Sequence, residues 1–374
     1  MPNAVLNPPL ANAREFLVHS VDLGTLRATG LVNDLLPGTD PAPSAISVVR
    51  LPLAAGAVFA AALARLRRAL NDPTGERVTP NFQLQPWVSP GGESGPRPVA
   101  IAALDYGRAR AGRVATIAVY DSGVLEDYVT YDPRAHLKAA GTVPDGNPGP
   151  GAEPTLVRHG SFVASRVSAA SSTAKVKAVK VFGSTGGVDD FTLATAIDAF
   201  LKVNPDVSIV NLSCGTFSDV APLALATVVR NHPRVLWVAA AGNLTTIGTG
   251  ATTLPAWPAN MPEVIGVGAL DANNNKTAFT DQISADVWAP GEAVLGVVGK
   301  GMLAGVAAAF NGYATWSGTS FAAPFVAARL ADFMGQFTAL NPPPPGTALV
   351  RAAQEYLYGG PLPALPARPT ILVT

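Results

Sequence analysis

The sequence predicts an α/β protein, a three-layer αβα arrangement around a mostly parallel sheet, with a small N-terminal α+β region in front of it. Three observations predict this class. After about Ala100, apolar runs of strand length alternate with longer helix-like runs, which implies parallel strands linked by covering helices. Three of those runs end directly on a small polar residue, Asp121, Ser213 or Asn243. Sites in such sheets lie just beyond the carboxyl ends of the strands. Before Ala100 the texture changes: there are fewer elements, followed by the Gly-, Pro- and Ser-rich "VSPGGESGPRPV". The expected organisation is therefore an N-terminal region over 1–87, a linker over 88–99 and a main domain over 100–374.

The elements follow in order. In the N-terminal region, "AISVVRLPL" reads as a strand, "GAVFAAALARLRRALND" as a helix and "RVTPNFQLQP" as one further strand. Beyond the linker, "VATIAVYDSG" is a buried strand ending in a turn and "HGSFVASRVSAAS" is a helix. "AKVKAVKVF" is a strand, and "DDFTLATAIDAFLKVN" is a helix with an acidic start suited to the helix dipole. "VSIVNLSCG", "VLWVAAAGN" and "EVIGVGAL" are strands, with the helix "APLALATVVRNH" between the first two. "WSGTSFAAPFVAARLADF" starts small and polar and turns into an Ala-rich helix.

Composition narrows the function. Of 374 residues, 48% are hydrophobic and 14% charged, so a large core is available and long disorder is not expected. Lys+Arg and Asp+Glu are both 26, which argues against a nucleic-acid partner. Cys214 is the only cysteine, which excludes an intrachain disulfide and a multi-cysteine zinc site. The most apolar stretch, Leu51 to Ala64, is too short to span a bilayer and is edged by Arg50, Arg65, Arg67 and Arg68. It is expected as a buried amphipathic helix, and no membrane partner is predicted. The first residues lack a basic stretch followed by a long apolar core, so no secretory signal is read. The expected location is cytoplasmic, or the chain is expressed without its signal peptide.

Ser320 stands at the junction of Gly-Thr-Ser with the last of these helices. It reads either as a helix cap or as a nucleophile whose developing oxyanion would meet the free N–H groups of a helix start. The second reading needs a base, a group to orient it and another oxyanion donor. His159, one of four histidines, opens a helix with Gly160 beside it, and it is chosen as the general base. Asp121, at a buried strand end, is either the orienting carboxylate or a turn residue. Asn243 is either an amide aimed at the site or a turn residue.

"YDSG", "HGSFVAS", "AAAGN" and "SGTSFAAP" together resemble the four signature blocks of the subtilisin-like serine peptidases, in the Asp, His, Ser order of that family. "VNLSCG", "WPANMPEVIGVGA" and "AFTDQISADVWAPG" are similar to further blocks, so the resemblance covers roughly residues 100–335. It implies a subtilisin-like fold and a serine endopeptidase working through an acyl-enzyme. Ser320 would be the nucleophile, His159 the base and acid, Asp121 the orienting carboxylate and Asn243 the oxyanion donor. Pro258 would follow a cis peptide bond. Peptide or protein substrates would lie along Ser213, Cys214 and Gly215, with a specificity pocket between that edge and Ala240, Ala241 and Gly242. Val238 to Pro262 contains no Asp or Glu, so a preference for basic residues lacks its acidic pocket. Cys214 is expected only to pack in the pocket wall.

The chain departs from the family pattern at several points. Phe162 stands where a second His is common, Phe325 follows the helix proline in place of His, and Phe321 replaces the Met after the nucleophile. Between Pro290 and Ser320 the chain is longer than the family expects, with "MLAGVAAAF" inserted. "SAASSTAKVKAVKV" offers no carboxylate cluster for the usual calcium loop, so neither a metal nor another cofactor is predicted. "ALARLRRALNDP" followed by "RVTPNFQ" resembles the end of a subtilase propeptide. The N-terminal region is then either an intramolecular inhibitor, cut off between about Gln83 and Ala100, or an accessory domain that stays attached. Rival readings are a catalytically silent binding protein on the same fold and an acidic serine-carboxyl peptidase, which has Glu where this chain has His159. No lipase nucleophile elbow, Walker loop or His-Glu-x-x-His motif is present.

Overall fold

A computed structural model describes residues 14–32, 44–87, 95–100, 115–125, 128–131, 155–171, 174–183, 187–244, 254–302, 309–340, 344–362 and 371–373. They form two compact bodies. One draws on Met1–Leu84, Val188–Val203 and Ser218–Asn231, and the other on Gln85–Gly187, Asn204–Phe217 and His232–Thr374.

In the first body, strand Glu15–His19 sits between Val48–Pro52 and Val78–Pro80, antiparallel to both. Phe16 and Val18 point to the same side of the pleat and pack with Leu26, Val49, Leu51, Leu66 and Val78. Leu66 and Ala62 are the inward stripe of helix Phe59–Ala69, while Arg65 and Arg68 are exposed. The strand read over "AISVVRLPL" and the helix read over "GAVFAAALARLRRALND" both form in shortened versions, so the apolar stretch Leu51–Ala64 is divided between them and is not the one amphipathic helix also expected there. Leu51 and Pro52 finish a strand, the chain turns at Gly56 (φ 82°), and the helix starts only at Phe59. Only glycine adopts that left-handed φ cheaply, so the turn is local chemistry overriding the apolar run.

The strand expected over "RVTPNFQLQP" is likewise split, into Val78–Pro80 and Gln83–Pro86. Pro80 has no N–H for the ladder. Asn81 turns its side chain to other partners: Nδ2 donates to Glu15 and Asp189, and Oδ1 accepts from Phe191 N. Gln83 and Leu84 then pair with Asp189 and Val188. Helices Asp190–Val203 and Leu223–Asn231 complete this body. The buried Asp190 carboxylate accepts from Ala224 N at 3.0 Å and Leu225 N at 2.8 Å, satisfying two free donors at a helix start.

The second body is built on a seven-stranded, fully parallel sheet. In spatial order the strands are Ile371–Leu372, Val287–Pro290, Val264–Leu270, Leu236–Ala240, Val207–Leu212, Thr116–Asp121 and Lys175–Lys180. Helices flank the sheet in the three-layer αβα manner. On one face Ile117, Val119, Val238, Ala240, Val267 and Ala269 share a core with Phe162, Val163, Ala322 and Val326 of the covering helices. The alternate residues Ala118, Tyr120, Trp237 and Ala239 are buried too, as expected of parallel strands covered on both faces. From Thr116–Asp121 the chain goes to the strand on one side first and later to the strand on the other. That reversal opens a crevice above Asp121.

The long stretch between Pro290 and Ser320 forms an antiparallel pair, Val294–Gly301 with Phe310–Trp316. "MLAGVAAAF" lies mostly outside the described residues. Arg97–Pro98, expected as linker, pairs with Thr315 and Ala314 on the outer edge of Phe310–Trp316. The peptide bond between Trp257 and Pro258 is cis.

Candidate active site

Each candidate side chain is presented by the end of an element. Asp121 is the last residue of its strand, and its carboxylate accepts from Ser122 N at 2.7 Å. His159 is the first residue of helix His159–Ala170. The strand turn and this helix start come so close that a Cβ on Gly160 would lie 2.1 Å from Gly123 O, so only glycine fits there. Gly160 N also donates to Ser122 Oγ at 2.9 Å.

The approach brings His159 Nδ1 to 2.8 and 2.9 Å from the two Asp121 carboxylate oxygens, with both residues buried. A carboxylate can only accept, so Nδ1 carries the proton and Nε2 of the neutral ring is left as an acceptor. Among the described residues Nε2 has no hydrogen-bond partner.

Ser320 is the second residue of helix Thr319–Leu340 and is fully buried. Pro324, inside the helix, has no N–H to give Ser320 O. Ser213 Oγ fills that gap, donating to Ser320 O at 2.7 Å. The Ser320 hydroxyl faces two carbonyl oxygens, Ser213 O at 2.9 Å and Trp87 O at 3.2 Å. It makes no hydrogen bond to His159 Nε2. The structure unites Asp121 with His159, and Ser320 with Ser213, without a hydrogen bond between serine and histidine.

The Asn243 amide is held from behind. Its Oδ1 accepts from Thr319 N at 3.0 Å and Thr319 Oγ1 at 2.9 Å, and Thr319 Oγ1 accepts in turn from Gly242 N. That leaves Nδ2 to point forward, and it donates to Trp87 O at 2.8 Å.

Trp87 is the residue that reading the sequence missed. Pro86 and Gln85 run antiparallel to Cys214 and Gly215, and Trp87 N donates to Ser213 O at 3.3 Å. On its other edge strand Cys214–Phe217 pairs with Ala256–Trp257. Residues 85–87 thus lie as an added strand on the edge expected for substrate, and the Trp87 carbonyl sits between Ser320 Oγ and Asn243 Nδ2. Its indole is buried and tilted against Phe217 with ring centroids 4.7 Å apart. A side chain at Gly215 would meet that indole at 2.8 Å. The only local signal was an aromatic residue closing a strand-like run ahead of the Gly-, Pro- and Ser-rich segment.

The expected pocket residues divide. Gly242 (φ 101°) borders Phe217, where a Cβ would approach the ring to 3.0 Å. The side chain of Ala240 belongs to the main core, and that of Ala241 packs with Leu270, Ala285 and Trp288. Cys214 is buried, and burial first, then the Asp121 charge, push its thiol well above the usual range. Among the described residues no group of three His, Cys, Asp or Glu could hold a metal ion.

The chain belongs to the subtilase family, whose model matches residues 112–363. It is 32% identical over 238 residues to subtilisin-like protease 3 of Pseudogymnoascus destructans, covering 60% of this chain and 53% of that protein. It is 31% identical over 185 residues to subtilisin E of Bacillus subtilis, covering 46% of this chain and 44% of that protein. Subtilisin Savinase of Lederbergia lenta is 29% identical over 242 residues, which is 60% of this chain and 78% of that protein. The chain thus spans about half the length of the first two relatives. The fold is similar to that of fervidolysin from Fervidobacterium pennivorans, described as a keratinolytic enzyme related to subtilisin. That match has TM-score 0.59 at 19% identity, over 90% of this chain and 57% of that one.

Proposed function

We propose that the chain is a serine endopeptidase, and that it cuts itself at the peptide bond following Trp87. The observation that carries this reading is the seating of the Trp87 carbonyl. Its oxygen takes a hydrogen bond from Asn243 Nδ2 at 2.8 Å, and Ser320 Oγ lies 3.2 Å away. A buried Asp121–His159 pair with a free Nε2 stands ready to take a proton.

Catalysis would begin with the Ser320 hydroxyl turning from the carbonyls it now faces toward His159 Nε2. Its Oγ attacks the carbonyl carbon while its proton passes to Nε2, and Asp121 stabilises the imidazolium. The developing O⁻ meets Asn243 Nδ2 and the Ser320 backbone N–H at the helix start. Collapse breaks the C–N bond, His159 protonates the leaving amine, and an ester to Ser320 remains. Water, deprotonated by His159, then hydrolyses that ester.

Subsequent substrates would be peptides added to the same edge, with a flat aromatic side chain beside Phe217 on the acyl side of the cut. Until residues 85–87 leave, they would act as an intramolecular inhibitor.

Intact-mass measurement of the full-length wild type beside Ser320→Ala tests this. The wild type should yield pieces ending at Trp87 and beginning at Val88, and Ser320→Ala should stay whole and hydrolyse no peptide. A full-length, active wild type would end the self-cutting reading. An inert wild type whose Ser320 takes no fluorophosphonate would favour the silent binding protein.

A further inference from the structure

We propose that Phe162, Trp316 and Phe321 form an aromatic collar that positions the His159 imidazole, a role that rests on the serine-peptidase reading above. Among the described residues, His159 is tied by hydrogen bonds only along its Nδ1 edge, so rotation of the ring about that edge is controlled by packing. Two walls supply it. The Trp316 ring stands 5.7 Å away and perpendicular, at 89°, and the Phe321 ring 5.3 Å away at 45°.

Phe162 braces both walls from behind. It lies edge-on to Trp316 at 5.4 Å and tilted on Phe321 at 4.5 Å, and those two touch each other at 4.9 Å. All three are fully buried, and they come from three separate elements: the helix of His159, the strand Phe310–Trp316 and the helix of Ser320. A triangle in which every pair is in contact cannot shift one member without the others.

The surroundings lock the triangle in place. Gly296 leaves room for Phe162, since a Cβ there would meet its ring at 2.8 Å. Ser165 Oγ accepts from Val297 N and donates to Phe162 O. The guanidinium of Arg158, next to His159, donates to Val298 O at 2.8 Å and Lys300 O at 3.1 Å. The antiparallel pair of strands that carries Trp316 is thereby fastened to the helix that carries His159. Perpendicular and tilted rings attract one another beyond simple burial, and aromatic faces favour the imidazolium formed during reaction, which aliphatic walls do not. Phe162 and Phe321, two departures from the family pattern, thus meet around one catalytic side chain.

The test is peptide hydrolysis by Phe162→Leu, Trp316→Leu and Trp316→Phe, each normalised to sites counted by fluorophosphonate titration. Phe162→Leu and Trp316→Leu should each lower kcat about tenfold, within the range for small misplacements of a catalytic group. KM should stay within about twofold, and Trp316→Phe, still aromatic, should keep kcat within about threefold. Wild-type kcat in both leucine variants, a loss carried by KM, or Trp316→Phe as impaired as Trp316→Leu would overturn the collar.

A second measurement does not need activity. In full-length Ser320→Ala, the Nδ1 proton of His159 should exchange with water about tenfold faster when Phe162→Leu is added, because a loosened ring opens more often. Unchanged exchange overturns the collar even if the peptidase reading stands. Faster exchange there, beside a wild type that cleaves nothing, would support the collar and sink the peptidase reading.

Discussion

Different kinds of contact hold each of the two bodies together internally. In the first, the N-terminal segment meets Val188–Val203 through half-exposed polar groups. Arg50 reaches Asp189 at 3.1 Å and Glu15 at 3.6 Å with its guanidinium over Phe191, and Asn81 bridges Glu15 and Asp189. In the second body the central polar pair, the Asp121 carboxylate hydrogen-bonded to His159, is wholly buried among aromatic rings. Exposed pairs contribute about 0–1 kcal/mol and weaken with salt. A buried pair is hardly screened, and breaking it leaves an uncompensated charge. The contrast suits the proposed self-cutting, in which the site stays and the N-terminal segment comes away.

The largest effect should come from the buried pair. Asp121→Asn should lower kcat roughly 10⁴-fold with little change in KM, as in the serine-protease triads where this exchange leaves the histidine in the wrong tautomer. Steady-state kinetics on titrated enzyme reads it, and a loss below tenfold would remove Asp121 from the mechanism. Next is Asn243→Ala, expected to lower kcat by roughly 10²–10³, the known loss for the corresponding asparagine of subtilisin. An unchanged kcat would mean that the contact from Nδ2 to the Trp87 carbonyl does nothing for the transition state.

The polar rim of the first body should answer on a smaller scale. Arg50→Ala should speed release of the cut N-terminal piece by only about two- to fivefold, the range for one or two exposed pairs. Raising the salt should speed release in the wild type and narrow its difference from the variant. Gel filtration of the self-cut protein measures both, and a hold indifferent to salt would contradict the comparison.

The smallest effect is a pH slope. Burial raises the Asp190 carboxyl to about 7, against the pull of the Ala224 and Leu225 N–H groups. Its folded value is above its unfolded one, so the folded state binds the extra proton between about pH 4 and 7. The stability this contributes is full below pH 4 and is lost as pH rises through 7. Asp190→Asn does not titrate. In urea melts of Ser320→Ala, adding Asp190→Asn should therefore flatten the decline over that window, and parallel slopes would assign the decline to other groups.

Local chemistry was enough to locate the ends of elements. Asp121, Asn243, His159 and Ser320 were legible because apolar runs stop there on polar residues, and because Gly160 and the Gly-Thr-Ser before the last long helix mark helix starts. The same local signals misled where turn chemistry cut a run short, at Gly56 within Leu51–Ala64 and at Pro80 within "RVTPNFQLQP". The alternation of strands and helices determined the parallel sheet, since strands buried on both faces need covering helices.

Only the tertiary structure decided what meets at the crevice. Trp87 reaches Ser320 and Asn243 because residues 85–87 add to the edge of Cys214–Gly215, and backbone pairing of this kind leaves no mark in side-chain periodicity. In the sequence Phe162 and Phe321 stand out only as departures from the family pattern, and Trp316 only as the residue before Ser-Gly-Thr-Ser. That they close on one histidine depends on three elements distant in sequence packing together, and a pattern of period 2 or 3.6 reports which face of an element is buried but not what it is buried against.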